Sequence, residues 1–139
     1  MDYIAYISTP ITATEVSPQT TSIRLTSGRL TGGFLYFPRG PAGYLHFIAK
    51  IGAHQIAPFN VGQSYRLNSC VVPLHLDIDF FEPPFVIDCL TWNDSTLYTH
   101  VLTVGFFLDP WQKPRITKSI VRSLYDATLG YKKGGDRKT

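Results

Sequence analysis

Val72-Pro73-Leu74-His75-Leu76-Asp77-Ile78-Asp79-Phe80 decides the fold class of this chain. Apolar side chains at 72, 74, 76, 78 and 80 alternate with Pro73, His75, Asp77 and Asp79. Strict period two marks a strand with one face in a core and the other in water. A helix would scatter the same apolar residues around its circumference. Proline cannot donate to a ladder, so Pro73 places this strand at a sheet edge or at a strand start.

The neighbouring sequence repeats the pattern in shorter pieces. Strands are expected at Tyr3–Ile7, Ile11–Val16, Ser22–Thr26, Leu30–Phe37, Tyr44–Ile51, His54–Ala57, Ser64–Leu67, Phe85–Trp92 and Leu97–Leu108. Turn residues separate them: Pro38-Arg39-Gly40-Pro41-Ala42-Gly43, Gly52-Ala53, Pro58 to Gly62, Glu82-Pro83-Pro84 and Asn93-Asp94-Ser95. Gly32-Gly33 inside a strand predicts a bulge or a close backbone approach. Short strands at this spacing predict an all-β fold, an antiparallel β-sandwich of jelly-roll or Greek-key type. Leu45, Phe47, Leu74, Leu76, Ile78, Phe85, Ile87 and Val101 are its expected core.

Charge divides the chain in two. Residues 1–110 carry five basic and eight acidic side chains, whereas 111–139 carry eight basic and two acidic. The texture changes at the same place. Pro114 suits a first helical position, Ile116, Ile120, Leu124 and Ala127 recur at helical spacing, and Gly130 is a stop. The expected organisation is a β-sandwich over 1–110, then a short amphipathic C-terminal helix and basic arm over 111–139. Such arms dock on acidic or carbonyl-rich surface. The candidate interaction residues are Arg115, Ile116, Lys118, Ile120, Arg122, Leu124, Tyr131, Lys132, Lys133, Arg137 and Lys138.

At 139 residues the chain buries a core without staples. Charged residues make up 17%, below the roughly 25% of an average domain, which leaves uncharged surface for lasting contacts. No run reaches the ~20 apolar residues of a membrane-spanning helix. The start, Met1-Asp2-Tyr3-Ile4, lacks the basic and apolar stretches of a secretory signal, so synthesis in a reducing cytoplasm is expected. Cys70 and Cys89 read as free thiols rather than as a disulfide framework or zinc site.

Chemistry is sparse at the level of motif. His75, Asp77 and Asp79 point the same way about 7 Å apart, but a single strand gives a flat array where a metal needs converging ligands. His46, His54, His75 and His100 show no metal-binding spacing. No nucleophile elbow frames a serine, so any Ser-His-Asp relay has to be assembled by the fold. The glycines of 28–33 precede a strand and lack the Gly-Lys-Ser/Thr of a phosphate loop. Phe34, Tyr36, Phe37, Arg39 and Tyr44 cluster around one hairpin, an arrangement suited to stacking bases, yet the acidic body repels phosphate. Trp92, Tyr98 and Trp111 are the rings that would stack on sugars if exposed.

At the level of architecture the chain resembles the small β-sandwich proteins of virions, such as capsid-stabilising, head-decoration and tail-accessory subunits of bacteriophages. The resemblance covers the whole chain and carries over no site residue. It implies a non-enzymatic structural protein without metal or cofactor, located in a virion or other large assembly, whose sandwich and arm contact neighbouring subunits. A carbohydrate-binding sandwich using exposed aromatics is the alternative, and a nucleic-acid-binding module led by the arm is the third reading.

Overall fold

The computed structural model describes residues 1–110. The helix and arm expected over 111–139, with every candidate interaction residue named above, lie outside the described residues. The described chain forms eight strands: β1 Asp2–Thr9, β2 Gln19–Arg24, β3 Gly28–Phe37, β4 Leu45–Ile51, β5 His54–Ala57, β6 Cys70–Phe80, β7 Val86–Asn93 and β8 His100–Pro110. They make two antiparallel four-stranded sheets, ordered β1-β8-β3-β6 and β2-β7-β4-β5. The first strand pairs with the last, the second with the seventh, the third with the sixth, and the two middle strands with each other. The chain is thus one doubled ribbon, rolled so that successive pairs fall in opposite sheets.

Both sheets feed one core, which makes the architecture sandwich-like. Leu30, Leu35, Phe37, Leu102, Val104, Phe106 and Leu108 enter from one sheet, and Leu45, Phe47, Ile87 and Cys89 from the other. Thr9 and Thr91 are buried among them, and the Thr9 hydroxyl donates to that of Thr91 across the sheets at 2.8 Å. Burial without such a bond would cost about 1–3 kcal/mol.

The alternation in β6 holds as read: Leu74 and Phe80 are buried, Leu76 and Ile78 half-buried, and Pro73, His75, Asp77 and Asp79 exposed. β6 is an edge strand, as Pro73 requires. The register of β3 shifts between Leu30 and Gly32 against both its neighbours, the bulge that the paired glycines predict. A Cβ on Gly33 would overlap the Gly105 carbonyl oxygen, so β3 and β8 approach more closely than side chains permit.

Three expectations are corrected. Ile11–Val16 is not a strand: Ala13 N–H donates to Pro10 O and Thr14 N–H to Ser17 O, turn bonds that fold this Thr-rich segment on itself. Ser64–Leu67 contributes one bridge, Tyr65 with Phe47, rather than an edge strand. Val101 is 49% exposed, because β8 begins at His100 and sends Leu102, Val104, Phe106 and Leu108 inward. Leu97 and Tyr98 precede the strand in a turn.

Candidate functional site

The two sheets differ on their outer faces. On the β2-β7-β4-β5 sheet, the outward side chains of His46, Ile48 and Trp92 are buried, each at 8% exposure or less. Segments of the chain's own loops close over them: Glu15, Pro18, Gln63, Ser64 and Arg66 share with these residues the walls of a cleft of ≈ 450 Å³. Within it the His46 ring stacks on Trp92, centroids 4.8 Å apart and 11° from parallel.

Each His46 nitrogen has a partner at 2.7 Å, Nδ1 facing Ser64 Oγ and Nε2 facing Asp94 Oδ2. A carboxylate only accepts, so Nε2 carries hydrogen, and in the neutral ring Nδ1 accepts from the Ser64 hydroxyl. The fold has therefore assembled the nucleophile, base and orienter connectivity that no local motif announced. Acyl transfer also asks for free N–H donors around a developing oxyanion. The N–H groups flanking Ser64 are already used: Gln63 N–H donates to Asn60 O and Tyr65 N–H to Phe47 O. The relay ties the 60–66 loop, β4 and the end of β7 together.

The outer face of the β1-β8-β3-β6 sheet is bare among the described residues. Register places Ile4, Gly105, Phe34 and Pro73 in one row across all four strands, and Tyr6, Thr103, Tyr36 and Val71 in the next. Neither row holds a charge. Ile4, Tyr6, Tyr36, Val71, Val101 and Phe107 are exposed, Tyr6 at 82%. Glycine at 105 lets the Phe34 ring lie flat over the backbone, since any Cβ there would strike that ring; Phe34 also meets Phe107 at 6.2 Å between centroids. From strand spacing and rise the apolar area is roughly 400 Å², within the roughly 300–600 Å² of the largest patch on a typical monomer, and such patches are often functional.

Charge gathers at the end of this face where the chain leaves β8. Asp2, Asp77, Asp79 and Asp109 stand there against Arg29. Arg29 donates to Asp77 Oδ1 at 2.7 Å, a hydrogen bond and ion pair that hold the Asp77 carboxyl below its ordinary value and raise Arg29. Both are well exposed, so the pair adds little stability. Of the histidine and aspartates that share one face of β6, Asp77 is thus engaged by a cation, and no three metal-ligating side chains converge among the described residues.

The third feature lies at one end of the sandwich-like body. Gly40, Tyr44, Asp94, Ser95, Thr96, Leu97, Tyr98 and His100 line a groove of ≈ 450 Å³. Asn93 organises it: its side-chain amide donates to Thr9 O and Tyr98 O at 3.1 and 2.8 Å, and its Oδ1 accepts from Ser95 N–H. Asp94 N–H donates to Tyr44 O at 2.9 Å, joining the two loops that form the walls. Of the three rings considered for sugar stacking, Tyr98 is 66% exposed, Trp92 is buried under His46, and Trp111 lies outside the described residues. Asp94 and Ser95 read in sequence only as a turn; their roles depend on His46 and Tyr44, distant in the chain.

Cys89 is buried and Cys70 half-buried, both as free thiols. Burial, with Asp88 adjacent, pushes the Cys89 thiol up to about 12. Among the described residues no helix is long and apolar enough to cross a membrane. Comparisons with protein-family models, with curated proteins and with solved structures find no match to this chain.

Proposed function

We propose that this chain is a non-enzymatic assembly subunit of the virion-building kind, and that its bare sheet face receives the 111–139 segment of a neighbouring copy. The outer face of β1-β8-β3-β6, bare among the described residues and uncharged across its two central rows, carries the reading. A folded chain gains from covering such a surface, and the other sheet already covers its own. The pairing of first strand with last, inward to the middle two, supports reading the sandwich-like body as a jelly roll, an architecture used by capsid and lectin domains. Fold alone does not fix function, so the weight rests on the face.

The segment fits the face in three ways. A helix over 114–129, as its spacing predicts, spans about 24 Å, close to the roughly 20 Å between the Phe107 and Val101 rows. Its apolar stripe, Ile116, Ile120 and Leu124, matches the two uncharged central rows of the face. Its cations, Arg115, Lys118 and Arg122, complement the aspartates where β8 ends. Exposed ion pairs are worth about 0–1 kcal/mol each, so apolar contact supplies the affinity and charge the steering.

Light scattering on size-exclusion columns tests this with the full chain and with chains ending at residues 110 and 131. The full chain is expected to assemble, the 1–110 chain to stay folded and monomeric, and the 1–131 chain to assemble more weakly than the full chain. A monomeric full chain refutes the proposal, as does unchanged assembly without 111–139.

A further inference from the structure

We propose that the end groove between Tyr44 and Tyr98 is a binding site for a neutral pyranose. This goes beyond the assembly reading and stands on different residues.

The first ground is His100. It is more than nine-tenths buried, opens β8, lines the groove, and has no hydrogen-bond partner among the described residues. None of its ring nitrogens is sealed off from solvent. A buried imidazole is normally satisfied. Here the groove is where a donor or acceptor can reach it.

The second ground is a set of groups already fixed in place. His46 holds Asp94 through Oδ2, while the side chain remains 53% exposed. A carboxylate has further lone pairs, so Oδ1 is left to accept from hydroxyls. Ser95 Oγ accepts from Leu97 N–H and Tyr98 N–H, which leaves its own O–H to donate. These bonds, with those of Asn93, order the loop before any ligand arrives, so little ordering cost remains for binding.

The third ground is the pair of rings. Tyr98 and Tyr44 are 66% and 51% exposed, large surfaces that folding leaves uncovered. The negative face of an aromatic ring suits the weakly positive C–H face of a pyranose, whose hydroxyls then point to the acceptors and donors between. The volume, ≈ 450 Å³, lies within the roughly 300–1,000 Å³ of small-ligand sites.

Charge narrows the ligand class. Among the described residues Asp94 is the one carboxylate lining the groove, and no lysine or arginine lines it. A phosphate, sialic acid or nucleic-acid backbone would meet the Asp94 carboxylate with no lysine or arginine beside it among the described residues. Vicinal neutral hydroxyls satisfy it.

Saturation-transfer NMR on the full chain provides the test, with the methyl glycosides of glucose, galactose and mannose, with N-acetylglucosamine, and with N-acetylneuraminic acid as the anionic control. At least one neutral pyranoside is expected to bind with a Kd of roughly 1 mM or tighter. Tyr98→Ala removes only an exposed ring and is expected to abolish the transfer signal with circular dichroism unchanged; Asp94→Asn is expected to weaken binding by about tenfold or more. The proposal is overturned by no transfer to any neutral sugar, by transfer that survives Tyr98→Ala, or by transfer to the anionic control alone.

Discussion

Tyr6 and Ile7 are consecutive in β1 and face opposite ways, Tyr6 82% exposed on the bare sheet face and Ile7 2% exposed in the core. Replacing each with alanine separates folding from assembly. Ile7→Ala removes buried methyl groups that the packed core cannot fully refill, at about 2–5 kcal/mol. Tyr6→Ala removes a ring that the isolated subunit hardly covers, so stability should move by no more than ~0.5 kcal/mol. In the assembly the ring's area counts. A tyrosine buries on the order of 200 Å², and at roughly 25 cal/mol per Å² four-fifths of that is worth about 4 kcal/mol when fully covered. Costs of ordering reduce the net loss to an expected ~2 kcal/mol, near thirtyfold in association constant. Urea unfolding followed by circular dichroism reads the first quantity, and sedimentation equilibrium the second. A large stability loss in Tyr6→Ala would place β1 in the wrong register. Unchanged assembly in that variant would remove the bare face from the interface.

Other expectations follow from single sites. A non-enzymatic subunit leaves Ser64 unmodified by a fluorophosphonate probe; a stoichiometric adduct on Ser64, lost in His46→Ala, would place acyl-transfer chemistry in the cleft. Because the folded Cys89 thiol titrates at about 12 rather than at the ordinary 9.0, the unfolded chain loses its proton first. Stability should therefore fall as pH rises from about 9 to about 12, by up to roughly 4 kcal/mol, and Cys89→Ala should flatten that slope in urea titrations across alkaline pH. Native-state alkylation at neutral pH should mark half-buried Cys70 ahead of Cys89, read by peptide mass spectrometry. Asn93→Ala strands the carbonyls of Thr9 and Tyr98 and should cost about 1–3 kcal/mol, measured by chemical denaturation.

How far the sequence could be read depended on contrast between faces. β6 carries aspartates and histidine on one face and aliphatics on the other, so its register and edge position were legible. β8 has apolar residues on both faces, Val101 and Phe107 outside, Leu102 and Phe106 inside. Period two then fits either phase, so the pattern alone places Val101 inward while the structure turns it out. The ambiguity has the same physical source as the apolar outer face: a sheet face rich in apolar side chains reads like a core in sequence whether it is buried or exposed. In β4, Leu45 to Ala49 are buried without interruption because the chain's own loops cover the outer side. Those loops were legible as turns only in part, since Ile11–Val16 has the β-branched composition of a strand and its turn bonds come from Pro10 and Ser17.

The candidate sites were legible as residue types but not as places. Ser64 and Asp94 lie 18 and 48 positions from His46, and the β4–β7 pairing together with the Tyr65–Phe47 bridge brings them within hydrogen-bond distance. Tyr98 was named as a stacking ring, while His100 and Asp94 join it only because β8 starts beside the turn after β7.

The central claim is that the arm of one copy lies on the sheet face of another, and cross-linking between differently labelled chains tests it most directly. In a Cys70→Ser background, a chain carrying Tyr6→Cys is mixed with a second, heavier-tagged chain carrying Leu124→Cys and oxidised mildly. A disulfide-linked heterodimer between residues 6 and 124 is the predicted product, formed in the mixture and suppressed by Ile120→Asp in the second chain. No heterodimer, or one that forms equally with Ile120→Asp in the second chain, would contradict the account.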